Sequence, residues 1–205
     1  LSLRALAAGC HVLCEKPLAT TATDAREMAR AAQQSGRIHM VNFTYRNSSA
    51  WQTAVERIQR GQIGRVLHFE GRYLQSWLTT TNWDDWKTSP RFLWRLSRAH
   101  GSHGALGDIG VHLVDFVTGL VGDPDTAYCH FQTFDKVPGN RLGDYVLDAN
   151  DSALITLSRT DGPCGCLSVT RCATGHDNSV SVSVHGDKGA LRLELDRGYS
   201  RLESC

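Results

Sequence analysis

No apolar run in these 205 residues approaches the ~20 needed to span a bilayer, and no signal peptide opens the chain. Neither sign of charge dominates. With 22 Lys and Arg against 21 Asp and Glu, the net charge of +1 argues against nucleic acid or a membrane surface as an electrostatic partner. A serine-hydrolase elbow is missing too, because Gly101-Ser102-His103 does not supply the Gly-x-Ser-x-Gly turn. No cysteine pair has the two-residue spacing of a structural zinc half-site, so no metal is expected. The seven cysteines are odd in number and irregularly spaced, which fits reduced thiols and a cytoplasmic location. Cys164 and Cys166 would share one face of a strand, where two buried or half-buried thiols are expected.

At 41% hydrophobic and 21% charged, the chain can build one good core or one and a half domains. Residues 1–44 read as helix, strand, helix, strand. Thr21-x-x-Asp24 has the form of a capping box, Ala25, Met28, Ala29 and Ala32 recur at helical spacing, and Gly36 closes the segment. His11–Cys14 and Ile38–Phe43 are the strands on either side. A further helix runs from Ser48 or Ser49 to Gly61. Beyond Gly64 the pattern turns to strands, with alternation at Leu67 and Phe69. Strict alternation returns at Val180, Val182 and Val184 and at Leu191, Leu193 and Leu195, with further strands at Ala153–Leu157 and Leu167–Cys172. Gly186-Asp187-Lys188-Gly189 is a short turn between two of them. A long loop from Ser76 to about His103 holds Trp77, Trp83, Trp86 and Trp94. Aromatic faces of this kind stack on sugar rings, although packing against the sheet is the simpler expectation for any one of them.

Two motifs carry chemistry. Asp108, His112 and Asp115 fall within one sector of a helix at 3.6 residues per turn, while Leu113, Val114, Val117, Leu120 and Val121 form its apolar stripe. A carboxylate beside an imidazole suits proton transfer near neutral pH. A surface helix with one chance histidine is the plainer alternative. The second motif, Glu15-Lys16-Pro17, follows a short apolar strand, and strand ends in parallel α/β sheets are where ligands bind. A lysine there can stabilise a developing alkoxide, and Pro17 raises the chance of a cis bond, but an ordinary polar loop has the same composition.

Together these motifs give the chain its resemblance to the Gfo/Idh/MocA family of nicotinamide-dependent oxidoreductases. The resemblance extends over Ala8–Ala19, Val41-Asn42-Phe43, Gly61–Val66, Trp94-Arg95, Gly104–Asp115 and Val184–Leu191. It implies an α/β plus α+β fold. Residues 1–44 would be the C-terminal part of a Rossmann dinucleotide-binding domain, and residues 45–205 a substrate-binding and oligomerisation domain with an open, mainly antiparallel sheet flanked by helices. It implies NAD or NADP as cofactor and a sugar or polyol as substrate, with a dimer or tetramer formed through the sheet's outer face. Lys16, Asp108 and His112 are then the catalytic residues; Glu15, Lys16, Pro17, Trp94 and Arg95 face the cofactor; Asn42, Arg46 and Asp115 face the substrate. His112 would move the hydroxyl proton, Asp108 would orient it, and Lys16 would stabilise charge on the substrate oxygen.

One departure matters. The Gly-x-Gly-x-x-Gly turn that cradles the cofactor pyrophosphate is missing near the start, so the chain is expected to be an internal piece lacking the first βαβ units and further sequence at its end. An NAD-dependent glycoside hydrolase of the same family, and a non-catalytic sugar-binding module, are the two alternatives.

Overall fold

The computed structural model describes residues 1–196 and 199–205. The chain divides into two compact units, Leu1–Thr44 and Tyr45–Cys205.

The first unit runs α1 (Ser2–Ala7), β1 (Val12–Cys14), α2 (Ala22–Ser35), β2 (His39–Val41). The Thr21 hydroxyl accepts from the Asp24 amide at 3.1 Å and donates to the Asp24 carboxylate at 2.8 Å, which satisfies a donor left open in the first turn of α2. Gly36 ends the helix in the left-handed region at φ 61°, where a side chain would be strained. Strands β1 and β2 pair in parallel with Leu13 opposite Met40, and the Lys16–Pro17 peptide is cis.

The second unit opens with α3 (Ser49–Gln59), capped by the Ser48 hydroxyl, and continues into β3 (Val66–Gln75) and a short α4 (Pro90–Leu93). A π-helical turn at Leu106–Gly110 leads into α5 (Val111–Val121). Then follow β4 (Thr126–Gln132), β5 (Arg141–Leu142), β6 (Tyr145–Val146), β7 (Ser152–Ser158), β8 (Cys164–Thr170), β9 (Asn178–Gly186), β10 (Ala190–Asp196) and β11 (Tyr199–Ser204). Seven of these strands form one sheet, in the order β11-β10-β9-β3-β8-β7-β4. Every neighbouring pair is antiparallel except β3 with β8.

One face of the sheet is covered and the other is open. On the covered face Phe69, Tyr73, Leu167, Val169, Val180, Val182 and Val184 pack with Leu113, Phe116, Val117 and Leu120 of α5 and with Ala50 and Ala54 of α3. Gly71 allows the approach, since a Cβ there would lie 2.8 Å from Leu167 Cδ2 and 3.2 Å from Leu113 Cδ1. Strand alternation assigns each residue to a face, and here two expectations need correcting. Cys164 and Cys166 do share a face of β8, but it is the open one, and both thiols are exposed. The segment from Ser76 to His103 is no structureless loop. It folds through α4 and two single 3₁₀ turns, Trp94–Leu96 and Arg98–His100, around a second small core of Trp77, Trp86, Phe92, Leu96 and Leu147. Trp77 and Trp86 are therefore packing residues, because indole area is too large to leave wet when a neighbouring apolar cluster can take it. Trp83 and Trp94 remain partly exposed.

Candidate active site

The polar side of the helical segment 106–121 is where the second unit gathers charge. The Val111 amide bonds the Leu106 carbonyl five residues back, so the helix is wider here and a uniform 3.6-residue geometry does not hold across Asp108. The two carboxylates of the expected stripe, Asp108 and Asp115, have different partners. Asp115 takes both hydrogen bonds of the Arg46 guanidinium, from Nε and Nη2, each at 2.7 Å. Such a bidentate pair raises the Arg46 pKa, chiefly through the hydrogen bond to Asp115. Asp108 instead accepts from Arg171 Nη2 at 3.0 Å and lies 3.5 Å from Arg95 Nε.

Arg171 was not among the residues singled out from the sequence. It follows β8 in the inward phase of Gly165, Leu167 and Val169, and it is fully buried. A charge on an apolar face requires partners, and the phase of the strand was the available clue. Arg171 donates to the Gly104 carbonyl at 3.1 Å and to the Arg95 carbonyl at 3.0 Å, and its guanidinium lies 5.1 Å from the Trp77 ring centroid. Burial lowers its pKa, an effect the Asp108 carboxylate opposes. Gly104 sits at φ 67° with its Cα so close to Asn150 that a Cβ would lie 2.2 Å from Nδ2, so the chain can enter the π turn only as glycine.

His112 is half-buried, and its ring meets the Tyr45 ring edge-on with centroids 5.1 Å apart. Tyr45 in turn bonds Tyr73 at 2.5 Å between hydroxyl oxygens. Burial, first, and then Tyr45 push the Tyr73 pKa far above that of a free phenol. Neither tyrosine was expected here, although Tyr73 occupies an inward position of β3, where a buried hydroxyl needs a partner. Trp94 and Arg95 belong to the first 3₁₀ turn, with the Arg95 guanidinium 4.8 Å from the Trp94 ring centroid.

In the first unit the expected residues cluster at the carboxyl ends of the two parallel strands. Glu15, Lys16 and Pro17 follow β1, Asn42 follows β2, and Asn42 Nδ2 donates to Glu15 Oε1 at 2.7 Å. A turn at the carboxyl end of parallel strands is where α/β sheets receive a nucleotide, and the Glu15–Asn42 hydrogen bond ties the two strand ends together there. Among the described residues no group of three ligating side chains could hold a metal ion, and no helix is long and apolar enough to cross a membrane.

Comparison with known proteins agrees with this division. The model for the oxidoreductase family, NAD-binding Rossmann fold, matches residues 1–43, and the model for the GFO/IDH/MocA C-terminal domain matches residues 51–192. Levoglucosan dehydrogenase of Pseudarthrobacter phenanthrenivorans is 31% identical over 211 residues, spanning 96% of this chain and 52% of that protein. The 1,5-anhydro-D-fructose reductase of Ensifer adhaerens is 37% identical over 125 residues, 60% of this chain and 34% of its own length. A solved complex of levoglucosan dehydrogenase with NADH and levoglucosan superposes with a TM-score of 0.81 at 29% identity, covering 100% of this chain and 56% of that one. The chain thus spans about half the length of the first of these relatives. On the matched domains, the chain belongs to the Gfo/Idh/MocA family of oxidoreductases, with part of the NAD-binding Rossmann fold followed by the family's C-terminal domain.

Proposed function

We propose that the whole protein transfers a hydride between NAD or NADP and a hydroxyl or carbonyl carbon of a sugar or polyol. The observation that carries this is the Asp108 carboxylate, held by Arg171 and Arg95 in the π turn that leads directly to His112. The nicotinamide, when bound, supplies the hydride acceptor or donor. His112 takes the hydroxyl proton in oxidation and returns it in reduction, the general acid–base role a positioned imidazole can fill. Asp108, oriented by two arginines, steadies the imidazolium that results. Lys16 stabilises negative charge on the reacting oxygen. Glu15, Lys16, Pro17, Trp94 and Arg95 are the protein's cofactor-facing residues. Asn42, Arg46 and Asp115 border the substrate.

Sugar-acting relatives support the substrate class: the names levoglucosan dehydrogenase, 1,5-anhydro-D-fructose reductase and D-glucoside 3-dehydrogenase all denote redox chemistry on a sugar or sugar derivative. The protein further acts as a dimer or tetramer through the open sheet face, where Glu70, Arg72, Tyr128, His130, Leu154 and Arg192 line a trough of about 490 Å³. Its seven free cysteines suit a reducing cytoplasm.

The test is turnover by the full-length protein of a panel of sugars and polyols with NAD and with NADP, followed by the absorbance of the reduced cofactor. An aryl glycoside is included. Release of the aglycone without net change in cofactor would replace the dehydrogenase reading with the glycoside-hydrolase one, and silence across the panel in both directions would remove the enzymatic reading.

A further inference from the structure

Beside His112 the second unit contains a closed cycle of hydrogen bonds whose direction can be assigned atom by atom. The Trp77 indole N–H can only donate, and it bonds Gln75 Oε1 at 3.0 Å. That fixes the Gln75 amide, so its Nε2 is the end that donates to Asn178 Oδ1 at 2.8 Å. The Tyr73 hydroxyl also lies 2.8 Å from Asn178 Oδ1, and since a carbonyl oxygen can only accept, Tyr73 must donate there. Asn178 Nδ2 donates to the Tyr45 oxygen at 3.2 Å. The single Tyr73 hydrogen being committed, the 2.5 Å contact between the two phenols has Tyr45 as its donor. Asn178 to Tyr45, Tyr45 to Tyr73 and Tyr73 back to Asn178 therefore form a ring with every hydroxyl hydrogen turned inward.

The consequence falls on Tyr45, which is half-buried and edge-on to His112. Its oxygen keeps one lone pair and has no hydrogen to offer. It can accept a hydrogen bond from a neighbouring hydroxyl and can offer nothing to a carboxylate or phosphate. The guanidinium groups around the same segment already have carboxylate partners, Arg46 with Asp115, and Arg95 and Arg171 sharing Asp108. An anionic substrate group placed at the Tyr45 oxygen would meet a lone pair and no hydrogen. From this, and resting on the hydride-transfer reading above, we infer that Tyr45 is a specificity-determining residue that accepts from a substrate hydroxyl, selecting a neutral polyhydroxylated ring over the corresponding sugar acid.

Two matched pairs of probes test it on the full-length protein with NADH bound: D-glucose against D-glucuronate, and D-galactose against D-galacturonate, by calorimetric titration. At least one neutral sugar is expected to bind about tenfold or more tighter than its acid, the equivalent of a donor–acceptor mismatch. Tyr45→Phe should weaken the neutral sugar roughly three- to tenfold, the worth of one ordinary hydrogen bond, and leave the acid nearly unchanged. Tyr73→Phe frees the Tyr45 hydrogen to turn outward and should narrow the neutral-to-acid ratio. If Tyr73→Phe fails to fold, Asn178→Ala breaks the same cycle at another atom. Tighter binding of the acids, no binding by either pair, or equal losses for sugar and acid in Tyr45→Phe would overturn the inference. Neutral sugars that bind selectively but are not oxidised with NAD or NADP would leave it standing and count against the hydride-transfer reading instead.

Discussion

His112 shows how little local sequence is needed to suggest a role and how much of its setting lies elsewhere. Its spacing from Asp108 and Asp115 is visible in one line of sequence, whereas its neighbour Tyr45 comes from far up the chain. In the full-length protein, His112→Ala is expected to lower the turnover number about 10²- to 10⁴-fold, the usual worth of positioned proton transfer. Cofactor affinity should hold, because the lost interaction develops in the transition state. Steady-state kinetics with a parallel cofactor titration measures both, and an unchanged turnover number at saturating substrate would move the proton-transfer role away from His112. Arg171 makes the complementary point. Its type and phase on β8 were legible, but its partners Gly104, Arg95 and Asp108 were not, since no periodicity within one strand reports what packs across from it.

The helical segment from Leu106 to Val121 joins the site to the core. Leu113, Phe116, Val117 and Leu120 anchor it to the sheet, while the π turn at its start holds Asp108 against Arg171. Replacing Arg171 by Met would remove a buried cation from two carbonyls and a carboxylate. Breaking a buried pair on one side costs about 3–5 kcal/mol, and Asp108 can still reach water, so a loss of about 3 kcal/mol is expected. Denaturant unfolding of this chain reads it, and a change under about 1 kcal/mol would mean the segment is held by its apolar face alone. The element itself was well marked in sequence because its apolar stripe is continuous. Its π turn was not, because the wider geometry is imposed by the packing of Gly104 against Asn150 and by the Arg171 contacts, all of them distant in sequence.

At the scale of the molecule, the two units carry different halves of the proposed chemistry. The first supplies two parallel strands with Glu15, Lys16 and Asn42 at their carboxyl ends, without a glycine-rich turn among these 205 residues. NADH titrated into this chain and followed by fluorescence is accordingly expected to bind weakly or not at all; micromolar affinity would show that the pyrophosphate cradle is dispensable. The open face of the seven-stranded sheet carries the exposed Leu154 and Tyr128. If that face joins subunits, Leu154→Glu should shift the full-length protein toward monomer in light scattering after size exclusion, because an unpaired carboxylate in a closed interface lacks a partner. An unchanged mass would place the subunit contact on another surface.

The sequence by itself determined the alternation of strands, the caps of α2 and α3, the apolar stripe of α5 and the order of the family motifs, because each depends on neighbours within a turn or a strand. Tertiary structure decided which face of β8 is wet, leaving Cys164 and Cys166 exposed, and drew Trp77 and Trp86 into a second core. It also chose the partners of the charges: Arg171 for Asp108, Arg46 for Asp115. Period and capping are local physics, whereas burial and ion pairing depend on which distant surfaces meet, and a charge or an indole takes its role from that meeting.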